Sequence, residues 1–156
     1  MKILLLTFAT VALATAADPF SGTWTPNVDN WKLSPGAPER RKHEVITLES
    51  VGKDKYRAIT RVDGKPTEAE PPIWNVDGKD HEVKNANGIP TSLKWQRIDD
   101  RHLRMIVKSS KGAAVVDYVV STDSRTLTVT RKGSGATSGR TLDELLVYDR
   151  RSPEGN

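Results

Sequence analysis

No cysteine occurs among the 156 residues. No disulfide can therefore hold the fold, and stability has to come from sheet hydrogen bonds and an apolar interior. A lipid anchor on an N-terminal cysteine is excluded as well. Without thiolates a zinc site would need clustered histidines, but His43, His81 and His102 are scattered and show no His-x-His or His-x-x-x-His spacing. No metal or cofactor is expected. Long apolar runs are missing after Leu13, so no membrane span is expected. No stretch of ten or more residues shows a helical period. Charge of one sign is not in large excess: the formal net charge is +4, and the densest basic run, Arg40-Arg41-Lys42, has no interleaved aromatics. Nucleic-acid binding is not expected from such a surface.

Catalytic motifs are equally scarce. There is no Gly-x-Ser-x-Gly elbow, and Gly133-Ser134-Gly135 lies between two strand-like segments. Gly139-Arg140-Thr141 resembles the end of a phosphate loop, but Ser134 stands where the first glycine belongs. Asp77-Gly78-Lys79-Asp80 lacks the alternating ligands of a calcium loop and reads as a hairpin turn. Asp80-His81-Glu82 reads as a surface strand end, because neighbours along a strand face opposite ways. An enzyme would have to assemble distant groups at one mouth of the fold, which makes it the third-ranked reading.

What is present begins with a leader. Met1-Lys2 is followed by the apolar run Ile3 to Leu13 and by Ala14-Thr15-Ala16, a small-x-small cleavage pattern. The expected organisation is a signal peptide over 1–16, one domain over 17–151 and a disordered tail over 152–156. An exported chain, periplasmic or extracellular, is implied.

Within the domain the clearest signal is punctuation. Gly52, Gly64, Gly78, Gly88, Asp100, Gly112, Asp123 and Gly135 fall at spacings of 12, 14, 10, 12, 12, 11 and 12 residues. Several belong to Asp-Gly or Asn-Gly pairs, the preferred two-residue hairpin turns. Between them lie segments rich in β-branched and aromatic residues, about ten in all. Sequential antiparallel strands without covering helices must close or fold over to bury an apolar face. The expected fold is all-β, an antiparallel up-and-down barrel of eight to ten strands, with a two-sheet sandwich as the alternative. Pro26 to Arg41, with three prolines, breaks the rhythm; at most Asp29 to Leu33 makes a helical turn there, and Trp31 is placed over an opening.

Aromatics make up only 6% of the chain, yet four are tryptophan. Trp74 and Trp95 fall on central strands, where they either fill the core or line a pocket for a flat or apolar ligand. Alternation puts Leu93, Trp95 and Arg97 on one face, and Leu127, Val129 and Arg131 on another. If both faces point inward, Arg97 and Arg131 lie near the ends of an apolar cavity with Met105 and either Tyr118 or Tyr148. Such guanidinium groups suit a carboxylate or phosphate, so an amphipathic anion is one ligand the pattern fits. The bland alternative has each arginine emerging into water at a strand end.

Phe20-Ser21-Gly22-Thr23-Trp24 resembles the Gly-x-Trp opening of the calycins, the group of the lipocalins and fatty-acid-binding proteins. Leu145 to Arg150 resembles their final strand, in which an arginine packs across the opening tryptophan. The resemblance implies that Trp24 and Arg150 help to close a barrel by cation–π contact. It departs at the two-helix lid, replaced by Pro26 to Arg41, and at the last strand, which has Tyr148 before Arg150 and no Arg-x-Tyr pair. The mature chain also resembles small exported bacterial proteins with a Gly-Thr-Trp start, a Ser-Pro-Gly loop (Ser34-Pro35-Gly36) and an Asp-Gly-Lys turn (Asp77-Gly78-Lys79), a family that brings no activity with it. These features imply a non-enzymatic binding protein that holds a small hydrophobic or amphipathic molecule. The alternative is a protein-interaction or structural module with a filled barrel and a partner protein of unknown kind.

Overall fold

The computed structural model describes residues 18–37, 43–85 and 87–152. The leader, the Arg40-Arg41-Lys42 run and the last four residues of the tail lie outside the described residues. Among the described residues eleven strands form: β1 (Gly22–Pro26), β2 (Glu44–Gly52), β3 (Lys55–Val62), β4 (Lys65–Pro66), β5 (Ile73–Asn75), β6 (Asp80–Lys84), β7 (Pro90–Asp99), β8 (His102–Ser109), β9 (Gly112–Val120), β10 (Thr126–Ser134) and β11 (Thr141–Arg150). A short 3-10 turn forms at Val28–Asn30, overlapping the Asp29 to Leu33 turn the sequence allowed. All strands belong to one antiparallel sheet in the order β4-β3-β2-β1-β11-β10-β9-β8-β7-β6, with β5 pairing β3 lower down.

The order follows chain sequence except where β1 meets β11, so hairpins account for most of it. Asp63-Gly64 joins β3 to β4 with both residues at positive φ, 49° and 77°, as a tight two-residue turn requires. Asp77-Gly78 behaves otherwise. The strands on either side do not pair: β5 adds to β3, whereas β6 adds to β7. The hairpin expected there is therefore absent, and the turn carries the chain across a gap in the sheet.

Alternation sets the interior. Ala114, Val116, Tyr118 and Val120 of β9, Leu127 and Val129 of β10, and Leu146 and Tyr148 of β11 are buried on one face of the sheet. Phe20, Trp24, Leu48, Tyr56 and Leu103 join them. The lower end is the one where residues 18–21 and the turns before β3, β8 and β10 gather. Most of the fully buried bulk lies toward it.

The Trp24–Arg150 contact organises that end. Trp24 is fully buried, and its indole Nε1 donates to the Phe20 carbonyl at 3.0 Å. The Arg150 guanidinium lies 4.3 Å from the Trp24 ring centre. It also donates to the carbonyls of Ser124, Ser21 and Pro19, tying the last strand to the turn before β10 and to the segment before β1. Burial pulls the Arg150 pKa down, and these carbonyl partners replace the lost water. Gly22 is required beside it: its φ is 141°, and a Cβ there would stand 2.5 Å from Arg150 Nη1.

The long connection after β1 runs beside β11. The Asn27 amide donates to Val147, Lys32 bridges to Leu145, and the Ser34 hydroxyl accepts from the Asp143 amide at 2.8 Å. Trp31 packs on Tyr148, with ring centres 5.5 Å apart. Trp24→Ala is expected to destabilise the fold by about 3–5 kcal/mol, as for other large-to-small core changes. Urea unfolding measures this, and a loss below about 1 kcal/mol would contradict the plug role of this ring.

Candidate functional site

The site arises where the sheet fails to close through its backbone. The two ends of the strand order, β4/β5 and β6, face each other without a hydrogen-bonded ladder. Side chains bridge the seam at two levels. At the lower end Arg97 of β7 donates from Nε to Asp54 at 3.0 Å and from Nη2 to the Tyr56 hydroxyl at 2.7 Å. Tyr56 in turn donates to Asp18. In the middle Trp74 of β5 stacks on Trp95 of β7, with centroids 4.2 Å apart and planes 17° from parallel. Tyr118 leans against both rings at 5.3 and 5.2 Å.

Above these bridges β5 and β6 diverge and leave a cavity of about 530 Å³. Trp74, Trp95, Met105, Leu93, Ile73 and Val83 supply its apolar wall. Polar groups sit at its edge, among them Glu68, His81, Glu82 and Lys84. His81 pairs with Leu93 in the β6–β7 ladder and so shares its face. Its Nε2 lies 3.0 Å from both carboxylate oxygens of Asp77, in the turn that crosses the seam. That contact, helped by the Lys79 amide, holds the Asp77 carboxyl below its ordinary range. The hollows of about 810 and 630 Å³ at the lower end are lined by turn residues such as Asp18, Ser124 and Arg101, with no aromatic ring.

The six candidate residues fall into two groups. Trp74, Trp95 and Met105 line the cavity, and Tyr118 backs the tryptophan stack. The two arginines face inward as alternation implies, but neither lines it. Arg97 is held at the lower seam by Asp54 and Tyr56. Arg131 faces Glu144, at 3.8 Å, whose side chain is wholly buried and also accepts from Arg140 at 2.9 Å. Where the sequence left open a free guanidinium pair or arginines emerging into water, each arginine faces a carboxylate of the chain. A partly buried arginine is stabilised by a counter-charge, and Asp54 and Glu144 supply it.

Sequence reasoning missed Asp54, Glu144 and His81 as site neighbours. Glu144 carried a readable sign, since alternation along β11 puts it on the Leu146 and Tyr148 face. On the outer face a second cluster joins His102, Arg104 and Asp117, each bond to Asp117 Oδ1 measuring 2.7 Å. Partial burial opposes the Asp117 charge, yet the Arg104 and His102 bonds hold its carboxyl below the ordinary range. Among the described residues no group of three or more His, Asp or Glu side chains is placed to hold a metal ion. None of the helices there is long and apolar enough to cross a membrane.

No family model matches the chain, and no curated protein matches its sequence. Solved structures do match in shape. A fatty-acid-binding protein from Echinococcus granulosus aligns with a TM-score of 0.62 at 12% identity, over 86% of this chain and 98% of that one. A fatty-acid-binding protein from Schistosoma mansoni, solved with arachidonic acid, aligns at 0.58 and 16% identity over 86% and 97%. An SAHS (abundant heat soluble) protein from Ramazzottius varieornatus aligns at 0.61 and 14% identity over 86% and 96%. The fold is that of the calycin-like β-barrels, in the fatty-acid-binding-protein form.

The lower bridge carries its own pH signature. Burial raises the Tyr56 pKa to about 12 from 10.0, and the bond to Asp18 adds to the rise. A phenol raised in the folded state contributes stability that is intact below the unfolded pKa of about 10 and lost as pH climbs through the folded value. Unfolding free energy is expected to fall by about 2–3 kcal/mol between pH 10 and pH 12, and this component should vanish in Tyr56→Phe. Equal slopes for the two proteins would contradict the buried bridge.

Proposed function

We propose that this protein is a non-enzymatic binding protein that takes a small apolar or amphipathic molecule into the seam cavity. The observation that carries the reading is the cavity of about 530 Å³ walled by Trp74, Trp95 and Met105. Pockets of a few hundred Å³ with mostly apolar walls and a few polar groups at the edge are the usual form of small-molecule sites. The fold supports the reading at the level of architecture, since a matching barrel was solved with arachidonic acid bound. Tyr118 acts from behind by fixing the tryptophan stack. Arg97 and Arg131, the candidates for a head group, belong to the frame of the barrel.

A second reading, an interaction or structural module, draws on the filled lower half, where Trp24, Leu103, Leu127 and Val129 leave little room. The two readings part on one experiment, a titration of pyrene with the delipidated mature protein, followed by pyrene emission. Saturable one-to-one binding is expected. Val83→Trp should weaken it at least tenfold by filling the cavity edge, without removing a seam bridge. No saturable binding, or equal affinity in Val83→Trp, would favour the module. Export belongs to the same proposal, with Ala17 as the first residue after the leader is cleaved. N-terminal sequencing of the exported form tests it, and a retained Met1 would contradict it.

A further inference from the structure

We propose that the seam cavity selects a planar molecule bearing positive charge and discriminates against carboxylate head groups; this rests on the binding reading above. Three observations point the same way. The first is the state of the inward arginines. Arg97 is bonded to Asp54 and Tyr56, and Arg131 and Arg140 share Glu144. An incoming carboxylate would have to strip Arg97 from a bridge that closes the barrel, or displace a wholly buried glutamate. The first exchange opens the seam, and the second leaves a wholly buried carboxylate without its partner, a costly outcome in a dry interior.

The second observation is the wall itself. Trp74 and Trp95 lie nearly parallel, with Tyr118 against both. Indole faces carry negative electrostatic potential, so they attract cations and stack offset on flat rings.

The third is the charge at the edge. Glu68 and Glu82 both line the cavity, and neither takes part in an ion pair or a side-chain hydrogen bond among the described residues. Among the described residues Lys84 is the only ammonium in the lining, and alternation along β6 puts it on the side of Glu82 rather than of His81. Glu82 and Lys84 therefore offset each other. Glu68 then gives the opening its sign. A ligand with flat rings on the tryptophans and an ammonium toward Glu68 meets each of these groups.

The test uses three probes of one shape, 1-pyrenemethylammonium, 1-pyrenemethanol and 1-pyreneacetate, titrated into the delipidated mature protein at pH 7 and low salt. The cation is expected to bind at least fivefold tighter than the alcohol and at least tenfold tighter than the acetate. Glu68→Gln should cut the advantage of the cation over the alcohol at least threefold. Acetate binding as tight as that of the cation would overturn the charge preference and leave the binding reading standing. So would a cation advantage that survives Glu68→Gln. Failure of all three probes to saturate would instead overturn the binding reading, and this inference with it.

Discussion

Two strand edges that never pair shape the rest of this molecule. β5 is committed to β3 and β6 to β7, so the sheet arrives at its own beginning without a ladder to join it. A barrel closed by backbone hydrogen bonds has no edge to protect. Here closure falls to the turn at Asp77-Gly78, where the Gly78 amide donates to the Trp95 carbonyl, and to side chains: Arg97 on Asp54 and Tyr56 below, and Trp74 on Trp95 in the middle. Both bridges lie in the lower and central part of the seam, so the strands part above them and a cavity opens. The same edges carry features that discourage pairing with other chains. β4 is two residues long and ends in Pro66, Pro71 and Pro72 precede β5, and β6 carries Asp80, Glu82 and Lys84.

The opposite side of the barrel is closed by different means. β1 is only five residues long, so it covers the lower part of β11 and stops at Pro26. The connection from Asn27 to Ser34 takes over as an irregular cover, bonded to Val147, Leu145 and Asp143. Arg150 then locks β11 to the segment before β1 over Trp24, and the glycine at position 22 lets it pass. Rigid closure here and side-chain closure at the seam make the seam the softer wall, since it has fewer backbone hydrogen bonds to break.

The fold was largely legible because period-two alternation and turn chemistry are local. The buried face of β9, the turn at Asp63-Gly64 and the placing of Trp95 with Arg97 all follow from neighbours in sequence. The seam was not legible. Asp77-Gly78 has the composition of a hairpin turn, and only the competition of β3 and β7 for the flanking strands separates them. The same limit applied to the arginines. Alternation shows which way Arg97 and Arg131 point, but Asp54 and Glu144 reach them from other strands and turns, and that pairing depends on the three-dimensional stagger of the sheet. An inward arginine reads as a ligand group until its internal carboxylate is found.

Likeness to fatty-acid-binding proteins fixes the architecture and leaves the activity to the residues of the cavity. Those residues differ in kind from a lined tunnel with free guanidinium groups: a tryptophan stack, a methionine and an edge of carboxylates stand at a gap in the wall. The central claim, that this gap is where a ligand enters and stays, is tested most directly by hydrogen–deuterium exchange of the mature protein with and without 1-pyrenemethanol. The amides of β6 and of residues 72–76 are expected to exchange fast in the free protein and to slow at least tenfold when the probe is bound. The amides of β9 to β11 should remain unchanged. Protection centred on the lower-end hollows, or no protection at the seam at saturating probe, would contradict it.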